Sequence, residues 1–118
     1  MKALRWHGPK DLRLETIEEP KALPGKVKIK VEWCGICGSD LHEYTAGPIF
    51  IPASDPHPIT GEVAPVVMGH EFSGRVVETG EGVTRVQAGD RVVVEPIYAC
   101  GTCEACRKGK YNLCEKMG

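Results

Sequence analysis

Apolar and polar side chains alternate most strictly between Lys26 and Trp33. There Val27, Ile29, Val31 and Trp33 fall on one face of an extended chain, and Lys26, Lys28, Lys30 and Glu32 on the other. The pattern predicts a half-buried strand. Met1 to Trp6 and Leu12 to Ile17 read as two more strands around the turn His7-Gly8-Pro9-Lys10-Asp11, an opening hairpin. Phe72 to Thr79 and Arg91 to Glu95 complete the β-rich runs, set apart by Gly80-Glu81-Gly82 and Gly89-Asp90. A short helix is expected after Gly38, with Ser39 as its cap and Asp40 to Tyr44 as its body. Two stretches lack periodicity. Gly47 to Pro65 carries Pro48, Pro52, Pro56, Pro58 and Pro65 and reads as a long loop, and Cys100 to Cys114 is too charged and Gly-containing to build a core.

With 118 residues the chain suits one domain, spanning 1–118, of a mainly β class with short helices. Fifteen basic residues against sixteen acidic ones leave a net charge of −1, so no footprint for phosphate backbones is visible and nucleic acid is not an expected partner. No apolar run is long enough for a membrane span, and the N-terminus lacks the charged and apolar regions of a secretory signal. The expectation is no membrane partner and a cytoplasmic location.

Six cysteines then call for a chemical account, and without a signal peptide reduced thiols binding metal are the leading one. Cys100, Cys103, Cys106 and Cys114 follow C-x2-C-x2-C-x7-C. Two-residue spacers let tight turns aim sulfurs at one ion, and four thiolates at about 2.3 Å saturate tetrahedral zinc, so this site is expected to be structural. Two disulfides or an iron–sulfur cluster are the alternatives. Arg107, Lys108 and Lys110 inside the lobe allow a zinc ribbon that grips nucleic acid, although Glu104 and Glu115 beside them describe an ordinary solvated surface.

A second constellation is dispersed. Gly69-His70-Glu71 sets an imidazole beside a carboxylate before a strand, and Cys37 lies on a turn before the short helix. Three mixed ligands from distant segments, with a spare position, are how catalytic zinc is held, whereas a His-Glu pair taken alone is more often an ordinary structural pair. Cys34-Gly35-Ile36-Cys37 also has the spacing of a thioredoxin-like motif, but the βαβ surroundings of that motif are missing, and Cys34 reads as a small buried hydrophobe. Ser39 can accept and donate a proton beside an alcohol oxygen, His42 could pass that proton to solvent, and Asp40 could orient a ligand imidazole. Helix capping is the alternative for Ser39 and Asp40. His7 and His57, with Asp55 nearby, read as exposed and inert.

Four ordered motifs carry a resemblance: C-G-I-C-G-S-D-L-H at Cys34 to His42, G-H-E-x-x-G-x-V at Gly69 to Val76, G-D-R-V at Gly89 to Val92, and the four-cysteine lobe. Together they are similar to the N-terminal catalytic domain of zinc-dependent medium-chain alcohol dehydrogenases. The Pro-rich loop leading into Ala64-Pro65-Val66-Val67-Met68-Gly69 most resembles the 2,3-butanediol dehydrogenases of the polyol branch. The resemblance implies a GroES-like irregular, partly closed β-barrel, with Cys37, His70 and Glu71 on catalytic zinc and Cys100, Cys103, Cys106 and Cys114 on structural zinc. It further implies Ser39 on the alcohol hydroxyl, His42 in a proton relay and Asp40 buttressing His70. The implied activity is reversible hydride transfer between a secondary alcohol or vicinal diol and NAD or NADP, in a homo-oligomeric parent enzyme. No G-x-G-x-x-G follows a strand here, so these residues are expected to be a fragment without the dinucleotide domain and inactive alone. A non-enzymatic, zinc-stabilised GroES-like binding module is the competing expectation.

Overall fold

A computed structural model describes residues 1–117. The hairpin forms as expected: β1 (Lys2–Gly8) pairs antiparallel with β2 (Asp11–Thr16), Leu4 opposite Leu14 and Arg5 opposite Arg13. β4 (Val66–Val67) adds to the other edge of β1, giving the order β2-β1-β4. The second sheet is β3 (Val27–Cys34), β5 (Phe72–Thr79) and β6 (Arg91–Val93), in the order β3-β5-β6. Two helices complete the elements, α1 (Gly38–Ala46) and the single turn α2 (Glu104–Arg107), followed by a 3₁₀ turn at Tyr111–Leu113.

The expectation of a β-barrel is met only in part. A barrel needs a continuous ring of strand pairing, and here two three-stranded sheets stay separate because the strands that could join them are two and three residues long. A hollow of about 1090 Å³ lies between the sheets, lined from both sides by residues such as Leu4, Ile29, Val31 and Phe72. The Cα radius of gyration, 15.3 Å, exceeds the roughly 13–14 Å of a compact chain of this length. The fully buried apolar residues described are correspondingly few: Ala3, Trp6, Val76 and Cys114. Trp6 fills the centre and donates its indole N–H to the Glu43 carbonyl at 3.0 Å, which satisfies the one polar atom its burial would strand. That ties the first sheet to α1.

β3 departs from strict alternation. Val31 pairs with Gly74 and Trp33 with Ser73, so Glu32 is a surplus residue at a bulge. Gly74 and Ser73 point to opposite faces, and their partners therefore do too. The expectation that Trp33 shares a face with Val27, Ile29 and Val31 is corrected on this ground. Trp33 instead stands in line with Ser73 and Val93 on the outer face, and both apolar side chains are largely exposed. Cys34 is exposed as well, contrary to the expected buried hydrophobe, because the end of β3 borders the hollow rather than a packed layer. Among the described residues no helix is long and apolar enough to cross a membrane.

Candidate metal centres and the cavity beside them

Ser39 does not cap α1. The N-cap is Cys37, in extended conformation (φ −82°, ψ 158°), and Asp40 at the third helical position accepts the Cys37 amide on Oδ2 at 2.9 Å. The sequence favours this because a carboxylate in the first turn meets both the orphan amides and the positive end of the helix. Helical spacing then puts Ser39, Asp40 and Glu43 on the inner side, and leaves Leu41 and His42 exposed on the outer side.

The turn before β5 supplies the facing groups. Gly69 has φ +101°, a conformation that side-chain-bearing residues rarely adopt, and it swings the chain so that His70 meets α1. His70 Nδ1 lies 3.5 Å from Asp40 Oδ1, and Nε2 lies 3.5 Å from Ser39 Oγ. Glu71 is held from the other side: its carbonyl accepts the Gly35 amide at 2.7 Å. A Cβ on Gly35 would come within 2.9 Å of Glu71 Oε2, so any larger residue there would shift the carboxylate from this position. Ligand atoms of Cys37, His70 and Glu71 lie within 4.8 Å of one another. That spacing suits three donors around one cation with a side left open. Cys37 and His70 are half-buried and Glu71 is exposed, so solvent reaches the group.

The sulfurs of Cys100, Cys103, Cys106 and Cys114 meet the same distance limit, and they come from one segment. Main-chain N–H groups surround them. Thr102 and Cys103 donate to Cys100 Sγ at 3.4 and 3.3 Å, and Cys100 and Lys116 donate to Cys114 Sγ at 3.3 and 3.4 Å. Such donors favour thiolate: the Thr102 hydroxyl, with the amides of Thr102 and Cys103, brings Cys100 down to about 5. Amides also lower Cys103, while burial and the neighbouring sulfurs push Cys106 up to about 12. A cation among them would offset the burial that keeps Cys106 protonated, so this donor set fits a thiophilic metal ion. The six cysteines are all free thiols. Two of the three lobe cations are engaged within the lobe: Arg107 donates to the Thr102 carbonyl at 2.7 Å, and Lys108 pairs with Glu104 at 2.5 Å.

Beside the first centre lies a cavity of about 390 Å³, reached by Ser39 and His70 on one side and by the Pro-rich loop on the other. Two residues that shape it carried no site assignment from sequence. Glu43, buried at 5% exposure, accepts the Ile49 and Ile51 amides at 3.0 and 3.1 Å and the Phe50 amide as well. One carboxylate therefore fixes the start of the loop against α1. The run of unpaired amides after Pro48 was the available clue. His57 was expected to be exposed and inert, yet it is half-buried and lines the cavity, because its ring folds back onto the Ile59 and Thr60 amides. Asp55 is exposed, and His7 pairs with Glu15 at 3.0 Å. His42 lies outside the cavity.

Comparison with known proteins adds four findings. The family described as alcohol dehydrogenase GroES-like domain matches residues 23–118. The (R,R)-butanediol dehydrogenase of Bacillus subtilis is 68% identical over 118 residues, covering 100% of this chain and 33% of that protein. The crystal structure of 2R,3R-butanediol dehydrogenase from Bacillus subtilis, 68% identical, superposes with a TM-score of 0.89 over 99% of this chain and 33% of its own. A putative zinc-binding dehydrogenase from Sinorhizobium meliloti, bound to NADP, gives 0.81 at 34% identity, covering 98% of this chain and 30% of its own. The chain thus spans about a third of the length of the relatives it matches.

Proposed function

The chain belongs to the alcohol dehydrogenase GroES-like domain family, and from that premise we propose that residues 1–118 form the catalytic domain of a zinc-dependent, nicotinamide-linked dehydrogenase. Its substrate is a secondary alcohol or vicinal diol, 2,3-butanediol first among them, oxidised to the ketone. The observation that carries this reading is the convergence of Cys37, His70 and Glu71 within 4.8 Å, with Ser39 beside them at the edge of a cavity large enough for a four-carbon diol. Similarity to butanediol dehydrogenases supports the choice of substrate.

Cys37, His70 and Glu71 would hold the catalytic zinc, and the four lobe cysteines a structural one. A thiolate, an imidazole and a carboxylate are the donors open zinc sites use, and when bound the ion lowers the pKa of an alcohol oxygen. The remaining steps belong to this chain's side chains. Asp40 accepts the Nδ1–H of His70 and so turns Nε2 toward the centre. Ser39 accepts the substrate hydroxyl proton, and His42, exposed one helical turn on, returns it to water. A bound nicotinamide would supply the hydride acceptor for the carbinol carbon. No residue of this chain is assigned to the nicotinamide.

The test is made on the full-length protein. With zinc and NAD⁺ or NADP⁺ it should reduce the nicotinamide when given 2,3-butanediol, and Cys37→Ser should abolish this. A folded, zinc-replete protein that oxidises no secondary alcohol would overturn the reading, and one that binds a single zinc per chain with full activity would overturn the ligand assignment.

A further inference from the structure

His57 sits in the Pro-rich loop, outside every motif that defines the metal centre, and nothing above gives it a task. Its ring geometry is unusual for a loop histidine. Nδ1 accepts two main-chain amides, from Ile59 and Thr60, both at 3.3 Å. A nitrogen that accepts cannot also carry the proton, so the neutral ring is held with its proton on Nε2. The loop therefore fixes both the orientation of the imidazole and its tautomer. Among the described residues Nε2–H forms no hydrogen bond, and the residue lines the cavity that also holds Ser39 and His70.

The other polar groups on that cavity are largely engaged. Asp40 is taken by the Cys37 amide and His70, and Glu43 by three loop amides. Thr60 accepts the Glu62 amide at 3.3 Å and is exposed. Phe50, Ile51, Pro52 and Met68 give the rest of the wall its apolar character. A secondary mono-alcohol needs only the Ser39 end. A vicinal diol, or the hydroxyketone formed from it, carries a second oxygen one carbon away, which in an apolar wall would lose its hydration without return.

We propose that His57 recognises that second oxygen, donating Nε2–H to the neighbouring hydroxyl or carbonyl while Ser39 attends to the reacting one. The assignment rests on the function proposed above and adds to it the residue that distinguishes a 1,2-dioxygenated substrate from a mono-alcohol. It makes His57 a specificity residue of the loop and leaves proton transfer to Ser39 and His42.

The two roles of the ring can be separated by substitution. His57→Asn keeps a carbonyl oxygen close to the position of Nδ1, where amides two and three residues on can still donate, and removes the reach of Nε2–H. His57→Gln offers an N–H near the Nε2 position. In the full-length enzyme, His57→Asn should raise KM for 2,3-butanediol roughly three- to tenfold, the range of one neutral hydrogen bond, with kcat unchanged and 2-butanol kinetics unaltered. His57→Gln should recover part of the loss. In ¹⁵N spectra of the wild-type imidazole, His57 should carry its proton on Nε2, and that nitrogen should shift on adding the diol but not 2-butanol.

Equal losses on both alcohols would overturn the proposal, since the ring would then serve only the loop, and so would unaltered diol kinetics. Should His57→Asn fail to fold, an Nε2 signal indifferent to the diol overturns it instead. A wild-type protein inactive on both alcohols identifies a different failure, that of the functional reading, and the assignment falls with it.

Discussion

The two candidate metal centres differ in their donors and are built in opposite ways. The lobe takes four sulfurs from fifteen consecutive residues, encloses them with main-chain N–H groups and buries Cys114. The Cys37 centre draws three different donors from two distant turns, depends on glycines at 35 and 69 for their approach, and leaves Glu71 exposed. A saturated shell built locally can only hold the chain together. An unsaturated shell assembled from afar spends its geometry on a vacant coordination side, and a vacant side is what chemistry requires.

The sharpest way to break this contrast is to remove one sulfur from each centre. Cys106→Ser should cost most, because structural zinc contributes on the order of 10–16 kcal/mol in small peptides at neutral pH. We expect loss of one zinc and collapse of amide-exchange protection across residues 100–114. Cys37→Ser should also lose one zinc yet leave those protection factors and the thermal transition close to wild type. Similar unfolding in both variants would erase the distinction. In the same spirit, mild chelation should strip the open centre first and leave about one zinc per chain; simultaneous loss, or a protein isolated with two disulfides and no zinc, would contradict it.

Within the open centre, roles can be graded. Ser39→Ala should lower turnover about 10²–10⁴-fold, the usual range for a group moving a proton, without displacing zinc. Asp40→Asn should act through His70 and weaken zinc affinity roughly 10–100-fold, read by competition with a chromophoric chelator. Activity loss without change in affinity would move Asp40 from a positioning role to a direct one.

The smallest effect concerns the tether of the lobe. Tyr111 donates to Glu95 Oε1 at 2.8 Å, and the carboxylate holds the phenol pKa above its ordinary 10. With the folded value raised, the contribution is complete below the unfolded pKa near 10 and fades as pH climbs through the folded one. Amide exchange in the lobe should therefore quicken at strongly alkaline pH in the wild type and show no such step in Tyr111→Phe. Both groups are exposed, so the change should be slight.

Much of this was legible in the sequence, and the reason is locality. The hairpin, the two eight-residue strands and the short helix follow from alternation and turn residues, and the lobe from cysteine spacing alone. For the Cys37 centre, donor chemistry supplied a candidate that the family resemblance strengthened, since no periodicity relates residue 37 to residue 70. What escaped was set by tertiary hydrogen bonding. Glu43 looks like any helical carboxylate until loop amides converge on it, and His57 like any loop histidine until its ring is pinned. Trp33 escaped for a different reason: alternation has period two, and one surplus residue inverts everything after it.

That surplus residue gives β3 a margin in length. Glu32 has no partner of its own across the strand, while Val31, Trp33 and Cys34 already pair with Gly74, Ser73 and Phe72. Excising Glu32 would straighten the ladder and forfeit its 3.7 Å ion pair with Arg75, yet every downstream partnership would keep its place. The turn bearing Cys37 would still arrive opposite His70. A chain one residue shorter can thus deliver the same ligand to the same position, so an alignment gap at this point need not signal a lost metal centre.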